Sequence, residues 1–154
     1  MSERGERAQA LFEQGYNCSQ AVVGAFADEL GMDPETAIRL ASPFGGGMGR
    51  MREVCGAVSG MLMVAGLRHG YTDPKAREEK KETYAMVQEL ADRMKRANGS
   101  IICRELLGLA KPEGSPDPTP RTAEFYRKRP CGEIVRQAVE ILEEYEREQQ
   151  TQKS

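Results

Sequence analysis

Hydrophobic and polar positions recur along this chain at three- and four-residue intervals, and that period predicts helices rather than strands. Residues 3–14 have helical propensity and stop at Gly15. Asn17 then serves as an N-cap, with Gln20 three residues on to close a capping box. Ala21, Val22, Ala25, Phe26 and Leu30 follow on one face, and Gly31 ends the stretch. Asp33 caps a third helix with Pro34 at its first position. That helix is short, because Ser42-Pro43 and the run Phe44-Gly45-Gly46-Gly47-Met48-Gly49 cannot continue it.

The stretch from about Val54 to His69 differs in kind: it is apolar or small all round, with no charge between Cys55 and Leu67. Such a pattern predicts a buried central helix. Gly56, Ala57, Ser59, Gly60 and Gly66 lower its helix propensity, which implies close approach of neighbouring backbones or of something held between them. Asp73-Pro74 opens a long helix to about Ala97, with Tyr84, Val87, Leu90, Ala91 and Met94 as its stripe and Asn98-Gly99 as its stop. Ser100 caps a short helix near Ile102–Leu107, and four prolines make 111–120 an internal loop. A last helix runs from Pro130 or Cys131 to about Arg147, with Ile134, Val135, Ala138, Ile141, Leu142 and Tyr145 inward and a frayed tail at 148–154. The expectation is a single all-α domain over 1–154, a bundle of six to seven helices around the 54–69 helix.

With 154 residues, 39 % of them hydrophobic, the chain suffices for one core. Lys plus Arg number 22 against 24 Asp plus Glu, which argues against a nucleic-acid binder. No apolar run nears the ~18 residues of a spanning helix. The first residues lack the apolar stretch of a secretory signal, so a cytoplasmic location is the expectation.

The four cysteines change the picture. Cys18, Cys55, Cys103 and Cys131 form no C-x-x-C pair, so neither a thioredoxin motif nor a zinc knuckle is present. Each falls in the first turn of a predicted helix. A helix N-terminus offers unpaired N–H groups and about half a positive charge, which stabilise a thiolate. The same environment suits a thiolate-ligated iron–sulfur cluster, whose sulfurs accept N–H hydrogen bonds. The four cysteines are therefore both the candidate redox residues and the candidate metal ligands, with Cys18 and Cys55 the preferred reactive pair and Cys18 the first choice for a lowered pKa.

Cys18, then Cys55-Gly56-Ala57-Val58-Ser59-Gly60, then Cys103 and Cys131, resembles the C-GCAxxG-C-C family of redox-active proteins. Gly15-Tyr16-Asn17-Cys18-Ser19-Gln20 and the glycine run before Cys55 belong to the same resemblance, which covers residues 11 to about 140. It implies a helical fold, a redox role for the four cysteines and room for an iron–sulfur centre. It supplies no substrate. Without C-x-x-C-H the chain attaches no c-type haem.

Gly45, Gly46, Gly47, Gly49 and Gly56 are the candidate cofactor-contacting positions, bringing main-chain N–H groups to the Cys55 sulfur. The run lacks the spacing of a nucleotide loop. Arg50 and Arg52 are candidates to add charge beside Cys55, one of them pointing to water. His69, the only histidine, ends the central helix about 20 Å from Cys55 at ~1.5 Å per residue and reads as structural. Met48, Met51, Met61, Met63, Met86 and Met94 read mostly as core filler. Tyr16 and Tyr126 neighbour Cys18 and Cys131 and are candidates to shape a pocket there, and Arg127-Lys128-Arg129 favours an anion or acidic partner. Three functions follow: thiol–disulfide or electron-transfer chemistry; a non-enzymatic iron–sulfur, or less readily zinc, protein; or a helical interaction module. A redox partner protein and a homodimer are the expected associations, with no nucleic acid and no membrane insertion.

Overall fold

The computed structural model describes residues 2–109 and 114–153, and among them it is an all-α helical bundle. In chain order the helices are α1 (Glu3–Glu13), α2 (Cys18–Ala25), α3 (Pro34–Ala41), α4 (Gly56–His69), α5 (Arg77–Asn98), α6 (Cys103–Leu106), α7 (Ala123–Lys128) and α8 (Cys131–Lys153). Extended pairing among the described residues is limited to one antiparallel bridge, Val54 with Ile102.

The caps at Asn17 and Asp33 are those written in the sequence, whereas Ser100 does not cap the short helix: that helix starts at Cys103 with Ile102 at its N-cap, and the Ser100 hydroxyl accepts from the Ile102 amide. Asn17 accepts from the Gln20 amide at 2.9 Å, and the Gln20 side chain accepts from the Asn17 amide at 3.2 Å. Asp33 caps α3 through the Thr36 amide, with Pro34 at the first position. Gly99, at a φ of 87°, closes α5 in the left-handed conformation that glycine adopts without steric cost.

The core joins α1, α2, α4, α5 and α8. Phe12, Phe26, Met61, Leu90, Met94, Val135, Val139 and Leu142 supply its largest buried side chains. Helix α1 packs along α8, and α4 packs on α2. The second contact depends on Gly60, where a Cβ would lie 2.8 Å from the Ser19 carbonyl oxygen. Gly56 makes a similar close approach near Cys18 and Ser19, whereas a Cβ on Gly66 would meet nothing within 4 Å. The small residues of α4 thus serve backbone approach only in its first half. Its burial is also one-sided toward the C-terminus, where Leu67 is 52 % exposed.

Several boundaries differ from the pattern reading. Helix α2 ends at Ala25 and passes into a 3₁₀ turn, Ala27–Glu29, before Gly31. Helix α5 begins at Arg77 because Asp73 closes a local turn, its side chain accepting from Lys75 and its carbonyl from Ala76. Its buried stripe is Met86, Leu90 and Met94, while Tyr84 lies outside at 55 % exposure. Helix α7, capped by Thr122, has no counterpart in the pattern. Helix α8 continues through 148–153, where a frayed tail is expected from sequence. Of the 111–120 loop, 111–113 lie outside the described residues and 114–120 are without regular structure.

At the end of the bundle away from the cysteines, Arg4 and Arg68 each lie over the buried Phe26 ring, at 4.7 and 5.0 Å. They pair with Glu29, and Arg68 also pairs with Glu146 at 2.7 Å. His69 meets the same Glu146 at 2.6 Å, which gives it a structural partner remote from the thiols. Met61, Met86 and Met94 fill the core, but Met48 and Met51 are 41 % and 51 % exposed.

Candidate functional site

Four elements bring the cysteines together by their N-termini. Cys18 is the first residue of α2, Cys103 of α6 and Cys131 of α8, and Cys55 is the N-cap of α4. All four line one cavity of about 30 Å³, with Gly46, Gly47, Arg52 and Ile134 among its other walls. None is in a disulfide.

The segment 45–53 holds this arrangement. It makes one coil at Gly45–Met48, in which Gly46 and Gly47 have φ of 70° and 69°. Met48, Arg50 and Arg52 follow at φ of 68°, 68° and 60°, a conformation that costs a non-glycine residue about 1 kcal/mol or more. Hydrogen bonds offset that strain. The Arg52 and Glu53 amides donate to the carbonyls of Gly46 and Gly47, and the Cys103 and Arg104 amides donate to those of Glu53 and Arg52. The loop is thereby clipped to α6. Gly45 abuts Asn17, where a Cβ would lie 2.2 Å from the side-chain carbonyl carbon, and a Cβ on Gly47 would lie 2.7 Å from that of Cys103.

This corrects the role expected of the glycine run. Its glycines seat the loop against Asn17 and Cys103 instead of presenting amides to Cys55. The amides that face the Cys55 sulfur and favour its thiolate are those of Ala57 and Val58 in its own helix. Burial outweighs them and pushes the Cys55 thiol up to about 11. Arg52 also differs from expectation: buried at 4 % exposure, it donates to the Cys103 sulfur at 3.7 Å. Burial still raises the Cys103 thiol, with Arg52 opposing it. Arg50 turns to the 114–120 loop, where it donates to the carbonyl of Ser115 and the hydroxyl of Thr119.

Cys18 and Cys131 form a distinct pair. The Cys18 S–H interacts with the Cys131 sulfur, and this interaction is the largest influence on each thiol. It raises Cys18 well above an ordinary thiol and lowers Cys131 to about 7. Burial raises both, while Arg129, Arg52 and Arg121 further favour the Cys131 thiolate. The lowered thiol is therefore Cys131, not Cys18 as the helix-terminus argument alone would choose.

The same two cysteines, and not Cys55 or Cys103, also line an open pocket of about 510 Å³. Phe12, Phe125, Arg121 and Arg129 stand on its walls. Arg121 stacks over the Phe12 ring at 4.3 Å and donates to the carbonyls of Phe12 and Tyr16 at 2.8 and 3.0 Å. Tyr126 packs edge-on against Phe12 and Phe125 and bonds the Glu13 carbonyl, so it supports the wall from behind. Arg121 and Phe125 are not legible from the pattern because α7 has no counterpart there, and Phe12, on the predicted α1, reads only as a core position until the 121–129 segment packs against it. The one signal available was Thr122 ahead of a short helix-compatible run.

Among the described residues, no three Cys, His, Asp or Glu side chains are grouped as ligands of one metal ion. The four sulfurs nonetheless share one cavity.

Fold and site together define an all-α protein that gathers four free cysteines at helix N-termini. The chain belongs to the family described as "Putative redox-active protein (C_GCAxxG_C_C)", which matches residues 16–145. Comparison with curated proteins and with solved structures gave no match.

Proposed function

We propose that this protein carries out dithiol–disulfide exchange through Cys131 and Cys18. The supporting observation is their pairing at the floor of an open pocket, with Cys131 the more acidic thiol. A thiol with pKa near the ambient pH is partly thiolate yet still strongly nucleophilic, which is the optimum for attack on a disulfide.

In the forward direction the Cys131 thiolate attacks one sulfur of a substrate disulfide, forming a mixed disulfide and expelling the other sulfur as thiolate. The charge on Cys131 is then gone, and with it the acceptor that held the proton on Cys18. Cys18 can now ionise and attack the Cys131 sulfur, expelling the second substrate thiolate. The substrate gains two electrons and two protons and becomes two thiols, while the protein dithiol becomes the Cys18–Cys131 disulfide. A dithiol reductant would return it to the starting state. Cys55 and Cys103, buried and raised, line only the inner cavity and take no part in this step.

The test is mild oxidation of the reduced chain with a low-molecular-weight disulfide, followed by alkylation and peptide mapping. A Cys18–Cys131 disulfide is expected, and Cys18→Ala should stop at a mixed disulfide on Cys131. A first bond at Cys55 or Cys103 would overturn the reading.

A further inference from the structure

The open pocket above the cysteine pair carries chemistry that exchange itself does not require. We infer that it admits a small anionic disulfide, seated by a carboxylate on the Arg129 guanidinium with its sulfur–sulfur bond at Cys131. This rests on the exchange reading and adds the class of substrate.

Three observations carry it. The first is size: about 510 Å³ falls within the ~300–1,000 Å³ typical of small-molecule pockets. The second is charge. None of the described residues lining the pocket is acidic. The flanking cations Lys128 and Arg136 are paired, the first with Glu124 at 2.7 Å and the second with Glu140 at 2.8 Å. Neither Arg121 nor Arg129 has an ion-pair partner among the described residues.

The third is the division of labour between those two arginines. Arg121 has committed its N–H groups to the carbonyls of Phe12 and Tyr16 and to the Tyr126 hydroxyl, so it acts as a fixed charge. The Arg129 guanidinium has no hydrogen-bond acceptor among the described residues, and it lies over the Phe125 ring at 5.2 Å. The ring orients a planar fork whose donors remain available, the geometry that takes a carboxylate bidentately. Arg129 stands two residues before Cys131, so a carboxylate held there keeps the rest of a short molecule within reach of the sulfur. The Phe12 and Phe125 faces cover its apolar part.

The electron balance is that given above: the anionic disulfide leaves as two anionic thiols, and the Cys18–Cys131 dithiol is oxidised. The experiment compares three disulfides on the reduced full chain at low ionic strength. They are 3,3′-dithiodipropionate (anionic), bis(2-hydroxyethyl) disulfide (neutral) and cystamine (cationic). Rates are expressed per Cys131 thiolate, since Arg129 also acts on that pKa. The anionic compound should react about tenfold or more faster than the cationic one, as expected for a cleft lined by one sign of charge. Arg129→Gln should cut that ratio severalfold, leaving only the part due to the fixed charge of the remaining arginines, and Arg129→Lys should retain more of it.

A second readout needs no exchange. The thioether 3,3′-thiodipropionate should protect Cys131 from iodoacetamide in the wild type and not in Arg129→Gln. Exchange at equal rates without protection would overturn the pocket inference and leave exchange standing. Protection without any exchange would overturn the exchange reading and leave the anion pocket standing. Reaction with a protein disulfide but with none of the three small ones, again without protection, would also overturn the inference.

Discussion

The Cys18 S–H interacts with the Cys131 sulfur, and this contact pushes the two thiols in opposite directions, Cys18 up and Cys131 down. Both residues open helices, so the helix dipole does not distinguish them. The difference lies in the arginines. Arg129, Arg52 and Arg121 each favour the Cys131 thiolate, whereas burial, and after it the neighbouring cysteines, raises Cys18.

That asymmetry predicts a pH profile. Alkylation of the native chain should modify Cys131 first, with a midpoint of about 7, below the ~8.5 of a free thiol. Cys55, raised to about 11, should stay unmodified at neutral pH until the protein unfolds. Peptide mapping after timed iodoacetamide pulses checks both; initial modification at Cys18 would invert the proposed roles.

The sign of two substitutions follows. Cys18→Ala removes the donor that favours the Cys131 thiolate, so the Cys131 midpoint should rise. Cys18→Ser, which keeps an O–H donor, should raise it less. Arg129→Gln should also raise it, because a nearby cation is lost. Titration of thiolate absorbance in variants lacking Cys55 and Cys103 measures all three.

The cap beneath Cys18 has its own energetic weight. Asn17→Ala removes the bond to the Gln20 amide and the side-chain donation to the Ser42 carbonyl at 3.0 Å. A loss of about 1–2 kcal/mol in unfolding free energy is expected. Urea denaturation reads the stability. The midpoint of Cys131 should shift as well, because α2 carries the donor.

Two glycine substitutions separate site from scaffold. Gly47→Ala places a Cβ 2.7 Å from Cys103 at a positive φ, so it should destabilise by about 1–3 kcal/mol and alter Cys103 reactivity. Gly66→Ala, on the exposed side of α4 with nothing within 4 Å, should stabilise by about 0.5–1 kcal/mol. Thermal unfolding of both variants decides it; a stabilised Gly47→Ala would show that the loop is looser than its packing implies.

By itself the sequence determined the helical class, the caps at Asn17 and Asp33, the stop at Gly99 and the position of each cysteine at a helix start. These rest on local chemistry: a three-to-four-residue period, a side chain that reaches an amide three residues on, a glycine that accepts positive φ. The four-cysteine order also carried the family. Tertiary structure alone decided which cysteines pair, because Cys18 and Cys131 meet only when α2 and α8 pack together. It likewise decided that Arg52 serves Cys103 instead of Cys55, since the left-handed backbone of the 45–53 loop turns that side chain toward α6. The acidity of Cys131 was beyond local reading for the same reason: it is a sum over Arg52, Arg121, Arg129 and Cys18, charges and donors that three separate segments bring to one sulfur.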